Sequence, residues 1–138
     1  ANNLGAPTNR WNAVYAMNGT IQTSDATLKK DIQEINYGLD EIMKLKPVSY
    51  QWKNNQIGNT TIPENLKENK LGFLAQEVQE VLPEVVKSKR WKVLDEKNPQ
   101  DYSLVKNERL GMNYSEIIPV LVKAIQEQQE QIKKLKKQ

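Results

Sequence analysis

Apolar and polar positions recur along the 138-residue chain with a period that changes several times, and each change marks an element. Residues 1–9 are polar and turn-rich, and they read as the trailing end of something larger. Trp11, Ala13 and Tyr15 then alternate on one face, and Asn18-Gly19 is a dipeptide that favours a type I′ turn, so a β-hairpin is predicted across residues 11–23. A lone hairpin is unstable in water, so it should pack on another chain or on an upstream sheet. Ser24 and Asp25 are good helix caps, with Leu28, Ile32 and Ile35 following at helical spacing. This predicts a short helix over about 25–35. Tyr37-Gly38 breaks it, and Leu39, Ile42, Met43 and Leu45 start a second helix that Pro47 stops.

Val48, Tyr50 and Trp52 alternate, as in a half-buried strand. Residues 53–70 have no sustained period. With Gly58 and Pro63 among many Asn, Lys and Glu residues, they read as a long surface loop anchored by Ile57, Ile62 and Leu66. A short apolar strand over 71–74 runs into a helix through Val78 and Val81 that ends before Pro83. Weaker alternation suggests two short strands, 91–94 and 102–105, joined by a polar turn at Asn98-Pro99. These elements add up to an α+β domain: a small mixed helix/strand body followed by a long C-terminal helix.

That last helix, from about 114 to 137, is the longest periodic segment. Ile118, Leu121, Ile125, Gln128, Ile132 and Leu135 are spaced by alternating threes and fours, an a/d seam over nearly three heptads. Pro119 is tolerable only in the first turn, so the regular helix should begin near it. Folding back on its own domain would cover Ile117 to Ile125 well but residues 126–138 poorly, so the pattern favours self-association. A polar Gln128 in a core layer fixes register and leaves the number of strands open.

Charge adds little to this picture. The net charge is +3, but Lys133, Lys134, Lys136 and Lys137 lie in the last six positions, and without them 16 basic residues face 17 acidic ones. The body is therefore near neutral, which argues against a nucleic-acid binder. No apolar run approaches the roughly 20 residues of a membrane span. Cysteine and histidine are both absent, which excludes disulfides, thiol chemistry, zinc-thiolate sites and the commonest general base. Gly-rich phosphate loops and clustered Asp/Asn calcium patterns are also missing, so no cofactor or metal is expected. A covalent mechanism would have to use Ser or Thr with Lys, and lysine serves as a base only when burial or nearby positive charge releases its proton. Spacing alone makes Ser24 a helix cap and Lys29 a surface residue.

The run TSDATLKKDI at 23–32, then LKPVSYQW, LGFLAQEVQEVLPEVV and NYSEIIPVLVKAIQEQQEQI, in this order from about Thr20 to Lys136, resembles the intramolecular chaperone, or peptidase S74, domain. Such domains end phage tailspike, tail-fibre and neck-appendage proteins. The resemblance implies a homotrimer that assists folding of an upstream β-helical stalk of the same precursor and then cuts itself off through a Ser-Lys dyad. Carried onto this chain, Ser24 is the nucleophile and Lys29 the base. The cleavage site falls among Thr23, Ser24 and Asp25, on a side the pattern leaves open. Gly72, Gln76 and Glu77 match the family's GFxAQE element, and Tyr114 its last helix, as structural or assembly residues. Thr27 departs from the family, where many relatives carry Arg, and the assisting histidine of some relatives is missing. The implied organisation is residues 1–23 as the end of the stalk, 24–113 as the chaperone and auto-protease, and 114–138 as the oligomerisation helix. The implied setting is the host cytoplasm during virion assembly, with the released domain not retained in the virion. The alternative is a non-enzymatic trimerisation cap that stays attached.

Overall fold

The C-terminal helix provides the surface on which the body of the chain is assembled. The computed structural model describes residues 3–53, 56–57 and 59–138. A single turn of 3-10 helix at Tyr114–Ile117 leads into an α-helix at Ile118–Lys136, with Pro119 in its first turn, where the missing N–H costs nothing. One stripe of this segment, Ile117, Val120 and Ala124, is buried. It meets Val78 and Leu82, each 1% exposed, together with Val85 and Val86. Phe73, Ile42, Leu45 and Met112 close the rim of this small core.

In chain order the elements are α1 (Leu39–Lys44), β1 (Val48–Tyr50), β2 (Gln56–Ile57), β3 (Thr60–Thr61), β4 (Lys70–Gly72), α2 (Ala75–Val81), β5 (Val86–Asp95), β6 (Asn98–Met112) and α3 (Ile118–Lys136). Among the described residues the strands pair as two-stranded antiparallel sheets: β1 with β4, β2 with β3, and β5 with β6. The fold is thus mixed α+β, with small strands and helices ahead of a long terminal helix. No helix among the described residues is long and apolar enough to cross a membrane.

Helix α1 docks on α3 through its start. The Glu41 carboxylate accepts the Gly38 N–H at 2.8 Å, and Glu127, from α3, accepts the Leu39 N–H at 2.8 Å. Both bonds satisfy donors that a helix N-terminus leaves open. The bare Gly38 leaves room for this approach, since a Cβ there would displace the Glu127 carboxylate. An ion pair between Lys123 and Glu34 at 3.7 Å lies alongside.

Several elements differ from the sequence expectation. Residues 11–23 form no strand in the single chain. Gly19 alone takes a positive φ, +72°, whereas a type I′ turn needs one at Asn18 as well. Tyr15 is 97% exposed, so nothing rewards pairing. The expected helix over 25–35 reduces to a 3-10 turn at Ala26–Leu28, after which Lys29 is extended and Asp31 turns through the left-handed region at φ +54°. Leu28 and Ile32, 74% and 71% exposed, find no surface to bury against, and a helix this short does not persist on propensity alone. Within the loop over 53–70 lie the β2–β3 ladder and a 3-10 turn at Glu64–Leu66. Leu66 is exposed, while the side chain of Ile57, and Gly58, fall outside the described residues.

The largest departure is the β5–β6 hairpin. Instead of two short strands it spans residues 86–112, and its turn is at Glu96-Lys97, so Asn98 and Pro99 open the second strand. The Asp95 carboxylate accepts the Lys97 N–H at 2.9 Å and folds the turn. A two-stranded ribbon has only edges, which is why Pro99 is tolerated in it. The base of the hairpin enters the core through Val86, Leu110 and Met112. Farther out, Trp91 and Tyr102 pack edge to face at 5.4 Å, and Arg90 donates to both Glu108 carboxylate oxygens at 2.9 and 3.0 Å.

Two outcomes follow. Leu82→Ala removes a fully enclosed side chain from a core with little in reserve. It should cost about 2–5 kcal/mol, read as a lower urea midpoint at fixed protein concentration. Arg90, with the Glu108 backbone N–H second, pulls the Glu108 carboxyl from its usual 4.5 down to about 2. A depressed carboxyl stabilises above its unfolded value and loses that contribution as pH falls through the folded one. Amide protection around Arg90 and Glu108 should therefore decline between about pH 4.5 and 2 and weaken with salt, and Glu108→Gln should abolish the pH dependence.

Candidate functional site

The hydroxyl of Ser24 and the amine of Lys29 meet in the structure. Lys29 Nζ donates to Ser24 Oγ at 2.7 Å. Between them the Asp25 carboxylate accepts from the Thr27 N–H at 2.9 Å and from the Thr27 hydroxyl at 2.7 Å, winding residues 26–28 into their single turn. These two bonds, the hydroxyl's the larger, hold the Asp25 carboxyl below its usual range. Thr27 thus gives Asp25 a partner from within the turn itself.

The loss of the expected helix is what permits the pair. Positions five apart on an α-helix are separated by about 140° around its axis and face away from each other. Here the turn is a single 3-10 loop and Lys29 is extended (φ −113°, ψ 151°), so the amine folds back over the turn. Both residues are exposed in the single chain.

The strand leading into Ser24 is tied to the body at the start of the terminal helix. Gln22 Nε2 lies 3.1 Å from Ser115 Oγ, and Ser115 Oγ lies 2.6 Å from Asn113 Oδ1. Next to Ser115, Tyr114 grips the β4 exit: its hydroxyl accepts the Phe73 N–H at 3.1 Å, and the two rings are 6.0 Å apart. Gly72 explains itself in this contact, since a Cβ would come within 2.5 Å of the Tyr114 hydroxyl. The structure therefore joins Gly72 to Tyr114. Glu77 pairs loosely with Lys46 at 3.9 Å, and Gln76 is exposed, apart from them.

The seam residues Ile118, Leu121, Ile125, Gln128, Ile132 and Leu135 are all exposed. Folding back covers only the stripe of Ile117, Val120 and Ala124, which corrects the expectation that Ile117 to Ile125 would be covered as a block. The helix is apolar on two sides at its N-terminal half, and only one is used within the chain. Among the described residues no cluster of His, Cys, Asp or Glu could hold a metal ion.

These features define an α+β domain with a Ser-Lys pair at its entrance and an uncovered terminal helix. Residues 24–87, just under half the chain, match the family model for peptidase S74, described as the chaperone of endosialidase. The match supports an intramolecular chaperone domain of the S74 kind over this segment, and a phage origin is consistent with that family. The match begins at Ser24 and includes Lys29, Gly72, Gln76 and Glu77, but stops before Tyr114 and α3. No curated protein matches the chain.

The sequence reading missed Gln22, Asn113 and Ser115. Asn113 with Glu116 three positions later is a helix-start signature that marks this corner. No local pattern announces the pairing of Ser115 with a residue 93 positions away.

Gly72→Ala tests the Tyr114 contact. The added methyl must push out the Tyr114 ring, freeing the Phe73 N–H, at a cost of about 1–3 kcal/mol by thermal unfolding. Tyr114→Phe in the same background should cost little more, because its bond is already broken.

Proposed function

We propose that this chain is a C-terminal intramolecular chaperone that promotes trimerisation and folding of an upstream phage fibre or appendage stalk, then releases itself by cutting next to Ser24. A chaperone role is supported at the level of the family. The observation that carries the cleavage reading is the 2.7 Å contact between Lys29 and Ser24 at the first residues of the family match.

In this reading Ser24 Oγ attacks a carbonyl carbon adjoining it, and its proton passes to Lys29 Nζ. The C–N bond breaks, the leaving nitrogen takes that proton, and the acyl group remains on Oγ as an ester. Water then adds to the ester carbon and frees the Ser24 hydroxyl. Attack on the Thr23 carbonyl goes through a five-membered ring and is the locally easier route.

Lysine needs a desolvated setting to act as a base. Both partners face solvent in the single chain, so a neighbouring protomer is the natural cover. The uncovered seam of α3 is the means of bringing it there, by packing three copies into a coiled coil. The dyad then works after assembly and not before, and cutting reports a completed trimer. The setting is the infected host's cytoplasm while virions assemble.

Mass spectrometry of the expressed chain tests this. The wild type should yield residues 1–23 or 1–24 plus the remainder, and Ser24→Ala should stay whole. Lys29→Met should slow cutting by at least about 10²-fold, the usual scale for losing a general base. A wild-type trimer that persists uncut would instead make the domain a trimerisation cap that stays attached.

A further inference from the structure

Gln22, two residues ahead of Ser24, makes the side-chain hydrogen-bond contact, with Ser115, that joins residues 11–23 to the body of the domain among the described residues. Arg10 above the Trp52 ring, 5.9 Å from its centre, is the next tether upstream. Between these two points every residue is exposed. Whatever bond adjoining Ser24 is cut, its strand is held in place through Gln22.

A serine hydroxyl has one proton to give, and Ser115 has two acceptors in reach, Asn113 Oδ1 at 2.6 Å and Gln22 Oε1 at 3.2 Å. Donating to the closer one, it accepts from Gln22 Nε2 at 3.1 Å. Asn113 is itself fixed, since its backbone N–H donates to the Val85 carbonyl at 2.9 Å and its carbonyl accepts the Glu116 N–H at 3.1 Å. The relay from Gln22 through Ser115 and Asn113 thus ends on a buried core residue. Ser115 also precedes Ile118, the first seam position, by three residues, so whatever orders the start of α3 orders the anchor of the cleavage strand.

We infer that Ser115 is a positioning residue for self-cleavage. Through Gln22 it fixes the strand bearing the scissile bond relative to the dyad, and so couples the start of α3 to the reaction. This rests on the Ser24 and Lys29 reading above.

The test uses the full chain and follows self-cleavage by mass spectrometry, with oligomeric state and thermal melting recorded for each variant. Ser115→Ala should cut on the order of fivefold more slowly, the scale of one hydrogen bond. Gln22→Ala, in an exposed segment that bears no folding load, should be slowed equally. The double variant should be no slower than either single one, and Ser115→Thr should restore the rate. A wild-type rate in Ser115→Ala, or single losses that multiply in the double variant, overturns the inference and leaves the dyad reading intact. The contact itself is read in the uncut Ser24→Ala chain, where adding Ser115→Ala should shift the Gln22 side-chain amide resonances by NMR; unchanged resonances overturn it. A wild-type chain that never cuts overturns the dyad reading and this inference together.

Discussion

Burial of one stripe of the terminal helix, Ile117, Val120 and Ala124, against Val78, Leu82 and Val85 is the contact on which the rest of the structure depends. The three sheets have two strands each, and none of them could stand alone in water. Helix α1 is six residues long and leans on α3 through Glu127. The β5–β6 hairpin reaches the core only at its base. Remove the helix and α1, α2 and the base of the β5–β6 hairpin lose the core surface they pack on. The chain thus concentrates its folding free energy on the element that also carries the uncovered seam.

The arrangement around Tyr114 and Ser115 extends that dependence to the candidate site. Adjacent side chains at the start of the helix hold two distant segments: the β4 exit through the Phe73 N–H, and the strand before Ser24 through Gln22. Ser24 and Lys29, in contrast, form their pair by local geometry alone, with Asp25 and Thr27 shaping the turn. Local chemistry makes the dyad, while the long-range fold decides what strand is presented to it.

What could be read from the sequence follows the same division. The terminal helix, α1, α2 and β1 were legible because each buries, or offers for burial, a periodic apolar face that a short window reveals. The hairpin over 11–23 and the helix over 25–35 were also patterned for burial, yet Tyr15, Leu28 and Ile32 have nothing to meet in one chain, so the pattern exists without the structure. Such unrewarded patterns leave apolar side chains open on the single chain. The β5–β6 hairpin was underestimated for the opposite reason. Its length comes from cross-strand pairs such as Arg90 with Glu108 and Trp91 with Tyr102, which leave only a faint alternation along either strand. The resemblance singled out Ser24 and Lys29, which meet in the structure, whereas the helix expected over 25–35 would have kept them apart.

A one-time cut places an unusual demand on such a domain. Its stability must be sufficient to hold the strand during assembly, and it has no need to persist afterwards. A small core, a ribbon anchored at one end and a helix half of whose apolar surface is open fit that demand better than they fit a durable enzyme. Once the segment is cut at the proposed site, the exposed Gln22–Ser115 contact and the Arg10 contact are what still join it to the domain among the described residues. Such contacts are worth about 1 kcal/mol each, too little to retain a separate chain. In the proposed reading, departure of the domain would remove the route by which an upstream stalk folded, and the stability of what remained would become a matter of rates.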